Sequence, residues 1–212
     1  MKQFSLFFIA ALTSGIASAN FVGLESELIT ESVYGNVYRV YATFDNPTDE
    51  LVSIYALQTL NDDGSISSSP INVTCSTSFF QSSFGAAFGT GINPLLMDPF
   101  PDVAFDSWFT IGSEDSNGTS EIQQVGMDEY LDAFEAGNGF TIDTFIGGAF
   151  FVTPNSSADA EAGDDLKVLI GQFTTDGEVS LCLNFQWDDA DTNTYNAEGY
   201  CITFPGGAVV PG

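Results

Sequence analysis

The sequence predicts an all-β domain, an antiparallel β-sandwich or jelly roll with one short helix near residues 127–136. Three observations carry that prediction. Apolar and polar residues alternate along most segments, the period of a half-buried strand. Clusters of Asp, Asn, Gly, Ser and Pro interrupt those segments at short intervals. Only one stretch has the period of an amphipathic helix.

"NVYRVYATF" (Asn36–Phe44) sets Val37, Arg39, Tyr41 and Thr43 on one face and Tyr38, Val40, Ala42 and Phe44 on the other. "DNPTDE" has turn chemistry, and "LVSIYALQ" (Leu51–Gln58) comes after it, so the two strands are expected to form a hairpin. "FDSWFTIG" (Phe105–Gly112) and "GAFFVTP" (Gly148–Pro154) read as further strands, the second stopped by its proline. "LKVLIGQFTTDGEVSLCLNFQW" (Leu166–Trp187) reads as another hairpin, with Asp176-Gly177 suited to a two-residue type I′ turn. In "GMDEYLDAFEAGNG" (Gly126–Gly139), Met127, Tyr130, Leu131 and Phe134 share one helical face. Asp128 and Glu129 fall in the first turn, where the helix dipole favours them, and Gly137 suits the C-terminal cap. Residues 79–109 are rich in Phe, Gly and Pro without a period; they are expected to contribute aromatics to the core, with an exposed apolar surface as the alternative.

The chain has 212 residues. Residues 1–19 read as a secretory signal peptide: Lys2, an apolar run from Phe4 to Ile16, then the small-residue cleavage signal Ala17-Ser18-Ala19. That run is too short to span a membrane. The remaining chain divides into one domain, residues 20–205, and a flexible Gly/Pro tail, residues 206–212, with no linker long enough to separate two domains.

Charge excludes whole classes of function. Removing Lys2 leaves Arg39 and Lys167 as the only basic side chains against 29 acids. Nucleic acid is not an expected partner, because no cations are present to displace phosphate counterions, and anionic membranes are not expected on the same ground. There is no histidine. Ser-His-Asp and Cys-His catalysis, His-ligated zinc and imidazole switching fall away with it. The surviving chemistries are a carboxylate pair or an oxygen-ligated metal. Asp106 is the acid expected to be partly buried, where it would cap a turn or hold a backbone amide, with a general acid as the alternative. No catalytic motif is recognisable, and the expectation is a non-enzyme.

Three cysteines remain, and a secreted chain would oxidise a pair of them. "LCLNFQW" (Leu181–Trp187) and "GYCITF" (Gly199–Phe204) flank an acidic segment; if they pair, Cys182 and Cys201 fall on nearly opposite rungs and can bond, with Cys75 left over. Cys75 bonded to either of the other two is the alternative. The segment between them carries Asp188, Asp189, Asp191, Asn193 and Glu198. Asp189, Asp191 and Asn193 match the first ligand positions of an EF-hand loop, but Thr194 and Tyr200 stand where Gly and Glu are required. Two readings stay open: a solvated hairpin tip, or a looser calcium site using these five residues. No cofactor is required by either.

Sequons at Asn72, Asn117 and Asn155 are candidate glycosylation sites, though composition alone predicts about two by chance. Two terminal stretches are candidate assembly arms that could add a strand to a neighbouring subunit: "NFVGLESELI", with Phe21 and Val22, and the tail, with Val209 and Val210.

"YRVYATFDNPTDE", "FDSWFTIG", "GAFFVTP" and "LKVLIGQFTTDG" followed by "LNFQW" resemble the recurring blocks of an uncharacterised family of secreted, acidic, β-rich proteins of aquatic microbes. That family is similar to proteins that build extracellular fibrils recovered from natural water. The resemblance implies a self-assembling, glycosylated subunit of an extracellular fibril or matrix, with other copies of itself as partner, and supplies no catalytic residues. The alternative is a calcium-assisted carbohydrate-binding module or carboxylate glycosidase, with Trp108 and Trp187 as sugar platforms.

Overall fold

A computed structural model of the chain describes residues 20–206. These residues form twelve strands and one α-helix: β1 (Phe21–Ser32), β2 (Gly35–Phe44), β3 (Glu50–Leu60), β4 (Ile66–Ser69), β5 (Ile71–Cys75), β6 (Trp108–Phe109), β7 (Gln123–Val125), α1 (Asp128–Glu135), β8 (Phe140–Ile142), β9 (Gly148–Phe151), β10 (Lys167–Thr175), β11 (Val179–Asp188) and β12 (Thr194–Phe204). One antiparallel sheet runs β1-β2-β10-β6. The other runs β7-β9-β3-β11-β5-β8, with β12 along β11 and β4 along the end of β3. The fold is therefore the predicted all-β sandwich with its single α-helix.

Both predicted hairpins are corrected. β2 and β3 do not pair: β2 is flanked by β1 and β10, while β3 lies between β9 and β11 in the opposite sheet. The turn between them crosses the sandwich, fastened by Ala162 N–H to the Asp49 carbonyl and Gly163 N–H to the Pro47 carbonyl. β10 and β11 also lie in different sheets. Neither Asp176 nor Gly177 has the positive φ that a type I′ turn needs. Burial explains the outcome. β10 is covered on both faces along almost its whole length, which a surface hairpin could not provide. "FDSWFTIG" is corrected too, since only Trp108–Phe109 is strand and Phe105 closes a short 3-10 turn.

α1 forms where predicted and buries Leu131 and Phe134. It ends as the sequence requires: Gly137 has φ +83°, Gly137 N–H reaches the Phe134 carbonyl and Asn138 N–H reaches the Ala133 carbonyl. That pair of bonds is a Schellman closure. Phe134 belongs to an aromatic cluster centred on Phe109, whose ring lies 4.8 Å from Phe134, 5.2 Å from Phe173 and 5.7 Å from Phe150. Residues 79–109 divide between the two expectations. Phe79, Ile92, Val103, Trp108 and Phe109 are buried, whereas Phe84 and Leu95 face outward.

The N-terminal arm is corrected as well. Asn20–Ile29 is not free: residues 21–28 pair with β2, and Phe21 stacks on Phe185 at 4.7 Å with Tyr200 edge-on at 4.6 Å. Val22 is exposed. Val209, Val210 and residues 1–19 lie outside the described residues.

Asn184 is a structural node that sequence reasoning missed. Along one edge of β11, β3 gives way to β5. At that junction the buried Asn184 amide donates to the carbonyls of Tyr55, Ser69 and Pro70 at 2.8, 2.9 and 3.1 Å, and its oxygen accepts from Gly199 N–H. It fills the irregularity between Leu183 and Phe185 in the β11–β12 ladder.

Cys182 and Cys201 are bonded on directly opposed rungs of β11 and β12, Cα atoms 4.1 Å apart. Cys75 is free and half-buried. The bonded pair is 19 residues apart in sequence, so replacing both by alanine is expected to cost ~3 kcal/mol. The check is urea denaturation, where the midpoint should fall and the slope should rise as the unfolded chain loses its cross-link; an unmoved midpoint would show that the bridge adds nothing.

Candidate functional site

Two features stand out: an end of the sandwich crowded with acids, and two long strands each with one free edge among the described residues.

Three segments build the acidic end. The β2–β3 turn supplies Asp45, Asp49 and Glu50; the segment after β9 supplies Asn155 and Glu161; the β11–β12 loop supplies Asp188, Asp189 and Asp191. Antiparallel register sets Glu50 beside Asp188, and a β-bridge sets Glu50 beside Glu161. Most of these acids are occupied by local donors. Both Glu50 oxygens accept Asn155 N–H, at 2.9 and 2.8 Å. Asp45 accepts the backbone and side-chain N–H groups of Asn20. Asp188 accepts the Thr194 hydroxyl at 2.6 Å.

Asp189 organises the loop tip. It accepts the N–H groups of Asp191 and Asn193, the Asn193 amide and the Tyr195 hydroxyl. These donors hold its carboxyl below its ordinary pKa. The arrangement is that of a self-capped turn. Glu198 does not join the loop; its carboxylate accepts Tyr55 Oη at 2.9 Å and Ser69 Oγ at 2.8 Å, on the face where β3 and β4 lie. So of the five predicted calcium ligands, the structure gathers Asp188, Asp189, Asp191 and Asn193 in one loop and sets Glu198 apart. Among the described residues, no three His, Cys, Asp or Glu side chains form a metal cluster.

Asp49 is different and does not stand out in the sequence. It is fully buried, and among the described residues no group donates to either carboxylate oxygen. Burial, with Asp45 and Asp189 adding like charge, pushes its pKa up to about 6. The indole N–H of Trp187, which pairs with Leu51 across the adjacent strand, is also buried without a partner among the described residues. The only sequence signal is an acid two residues before the core position Leu51, just ahead of β3.

The second feature lies along one side of the sandwich. β1 is the outer strand of its sheet, and β12 pairs only with β11. They approach each other where Phe21 meets Tyr200. Val22, Leu28 and Ile29 on β1 are 61%, 45% and 42% exposed, and Val33 just beyond it 46%. Leu24, Tyr200 and Ile202 are only part-covered. An unpaired edge with apolar neighbours is a template for another strand. Glu25, Glu27 and Glu31, with two irregularities in the β1–β2 ladder, temper it.

Arg39 and Lys167 are already engaged. Arg39 pairs with Glu114 at 2.5 Å and Lys167 with Glu25 at 2.9 Å. The sugar-platform reading is corrected: Trp108 and Trp187 are both buried, and neither offers a face to a ligand. Asn117 and Asn155 are exposed in loops, whereas Asn72 sits within β5 and accepts the Thr141 hydroxyl. Asp106 does hold backbone amides, as expected, accepting Ser82 N–H at 2.7 Å and Ala86 N–H at 2.9 Å.

Among the described residues, no helix is long and apolar enough to cross a membrane. The disulfide suits an oxidising compartment. No protein-family model, curated protein or solved structure matches this chain.

Proposed function

We propose that this chain is a secreted structural protein whose folded domains associate edge to edge into an extracellular fibril or matrix. One observation carries the reading: β1 and β12, 12 and 11 residues long, lie side by side with free edges and part-exposed apolar residues. A second copy that extends either sheet satisfies the open backbone groups and covers Leu28 and Ile29. Contacts of that kind that do not close on themselves give filaments. The exposed Asn117 and Asn155 are the positions suited to glycans. The large negative charge opposes association at low salt, so screening is expected to promote it.

Light scattering of the folded domain across a salt series tests the edge directly. Wild type is expected to grow in mass as salt rises. The double variant Val22→Glu, Ile29→Glu alters exposed side chains only and is expected to stay folded while requiring at least tenfold more protein to associate. Association unchanged by that variant would place the contact elsewhere.

A further inference from the structure

We propose that the acidic end of the sandwich binds a divalent cation of the calcium class, with the buried carboxylate of Asp49 as its anchor. The position differs from the loop tip that sequence suggests, because the Asp189 carboxylate there already accepts four donors from its own turn and Tyr195.

Asp49 stands in an electrostatic imbalance. A carboxylate removed from water needs donors or a counter-charge, and an unpaired one is costly. Asp49 is fully buried, yet neither oxygen has a donor among the described residues. Its electrostatic neighbours have the wrong sign: Asp45 and Asp189 act on it directly, and Glu50, Asp188 and Glu161 form the adjacent group. The basic side chains among the described residues give no relief, since Arg39 and Lys167 are paired with Glu114 and Glu25 and neither acts on Asp49. A cation from solution would remove the imbalance.

The chemistry selects the ion. Sulfur and imidazole are absent from this end, so soft and borderline metals have no preferred ligands. The acids that act on Asp49, Asp45 and Asp189, likewise offer oxygen alone, so a site here is an irregular oxygen set. Calcium accepts such a set and completes it with water, whereas magnesium demands near-octahedral order. With one inner carboxylate the site belongs among weak extracellular calcium sites, with Kd on the order of 10⁻⁴–10⁻³ M. Structurally the ion would brace the β2–β3 crossover, which joins the two sheets, against the β11–β12 loop. Both Trp187, which stacks on Tyr195 at 5.6 Å, and Tyr195, whose hydroxyl binds Asp189 at 3.0 Å, are placed to report on it.

The test uses the folded domain at neutral pH and does not depend on assembly. Calcium is expected to raise the melting temperature by roughly 5–10 °C at a hundredfold excess over Kd. Magnesium and sodium at matched ionic strength should do far less. Terbium should show saturable emission sensitised through Trp187 and Tyr195, displaced by calcium. Asp49→Asn should abolish both responses with an unchanged circular dichroism spectrum, and Asp191→Asn, at the exposed tip, should leave both intact. The proposal is overturned if magnesium or sodium stabilises as well as calcium, which would mean screening alone. Retention of both responses in Asp49→Asn, or their loss in Asp191→Asn, would overturn it equally. Should Asp49→Asn fail to fold, the ion comparison and terbium displacement on wild type decide the matter.

Discussion

Deleting residues 20–29 is expected to unfold the domain rather than release a folded, assembly-defective subunit. The deletion removes most of an edge strand and with it Phe21, whose ring touches Phe44, Phe185, Trp187 and Tyr200. Phe21→Ala alone should cost ~3–5 kcal/mol, the range for emptying a buried aromatic site. Part of that cost is the cavity left where the two sheets meet at the β1–β12 side. Urea denaturation of the point variant and circular dichroism of the deletion check this. A deletion that keeps wild-type secondary structure and cooperativity would mean that β1 is dispensable, and the edge on which the proposed association rests would lose its structural basis.

Asp106→Ala is the second large effect, expected at roughly 2–4 kcal/mol because it strands two amides that now have an ionisable acceptor. Asp106 pins the segment after β5 onto the strand region before β6: its carboxylate takes the N–H groups of Ser82 and Ala86, and its carbonyl takes Gln172 Nε2 at 2.9 Å. Gly85 lies so close that an added Cβ would sit 2.0 Å from Asp106 Oδ2, so this turn also requires its glycine.

The same residue makes stability depend on pH. Burial pushes Asp106 from an ordinary value of 3.8 up to about 6, against the pull of its two amides, and Asp49 also stands at about 6. Between about pH 4 and 6 the folded state therefore holds more protons than the unfolded chain. Stability must fall as pH rises through that window and level off above it. In the presence of a chelator, the domain should be more stable near pH 5 than near pH 7.5, by roughly 1–3 kcal/mol. Below about pH 4 the trend reverses, as carboxylates held low by donors, Asp159 among them, are protonated. A profile that climbs steadily from about pH 5 to 7.5 would contradict the assignment.

The fold class was legible because it depends on local pattern. Alternation along Asn36–Phe44, the single helical face of Met127, Leu131 and Phe134, and the rung shared by Cys182 and Cys201 are all short-range facts. Pairing was not legible where both candidate edges were claimed by distant strands. Asp176-Gly177 has the composition of a hairpin turn, but β10 is held between β2 and β6, and β11 between β12 and the strands β3 and β5. The acidic end was legible only as composition. Asp189 and Asp191 stood out by spacing, whereas Asp49 acquires its character from burial beneath segments more than a hundred residues away. Asn184 looked like any polar residue in a strand, and only the junction of β3 with β5 gives its amide three carbonyls to serve.

The measurement that bears most directly on the structural-subunit reading is negative-stain electron microscopy of the protein purified from its native source, with calcium and again with chelator. Filaments or sheets built from domain-sized units are expected, present in calcium and lost from preparations of the Val22→Glu, Ile29→Glu variant. Monodisperse single particles from the wild-type protein under both conditions, at high protein and high salt, would contradict that reading.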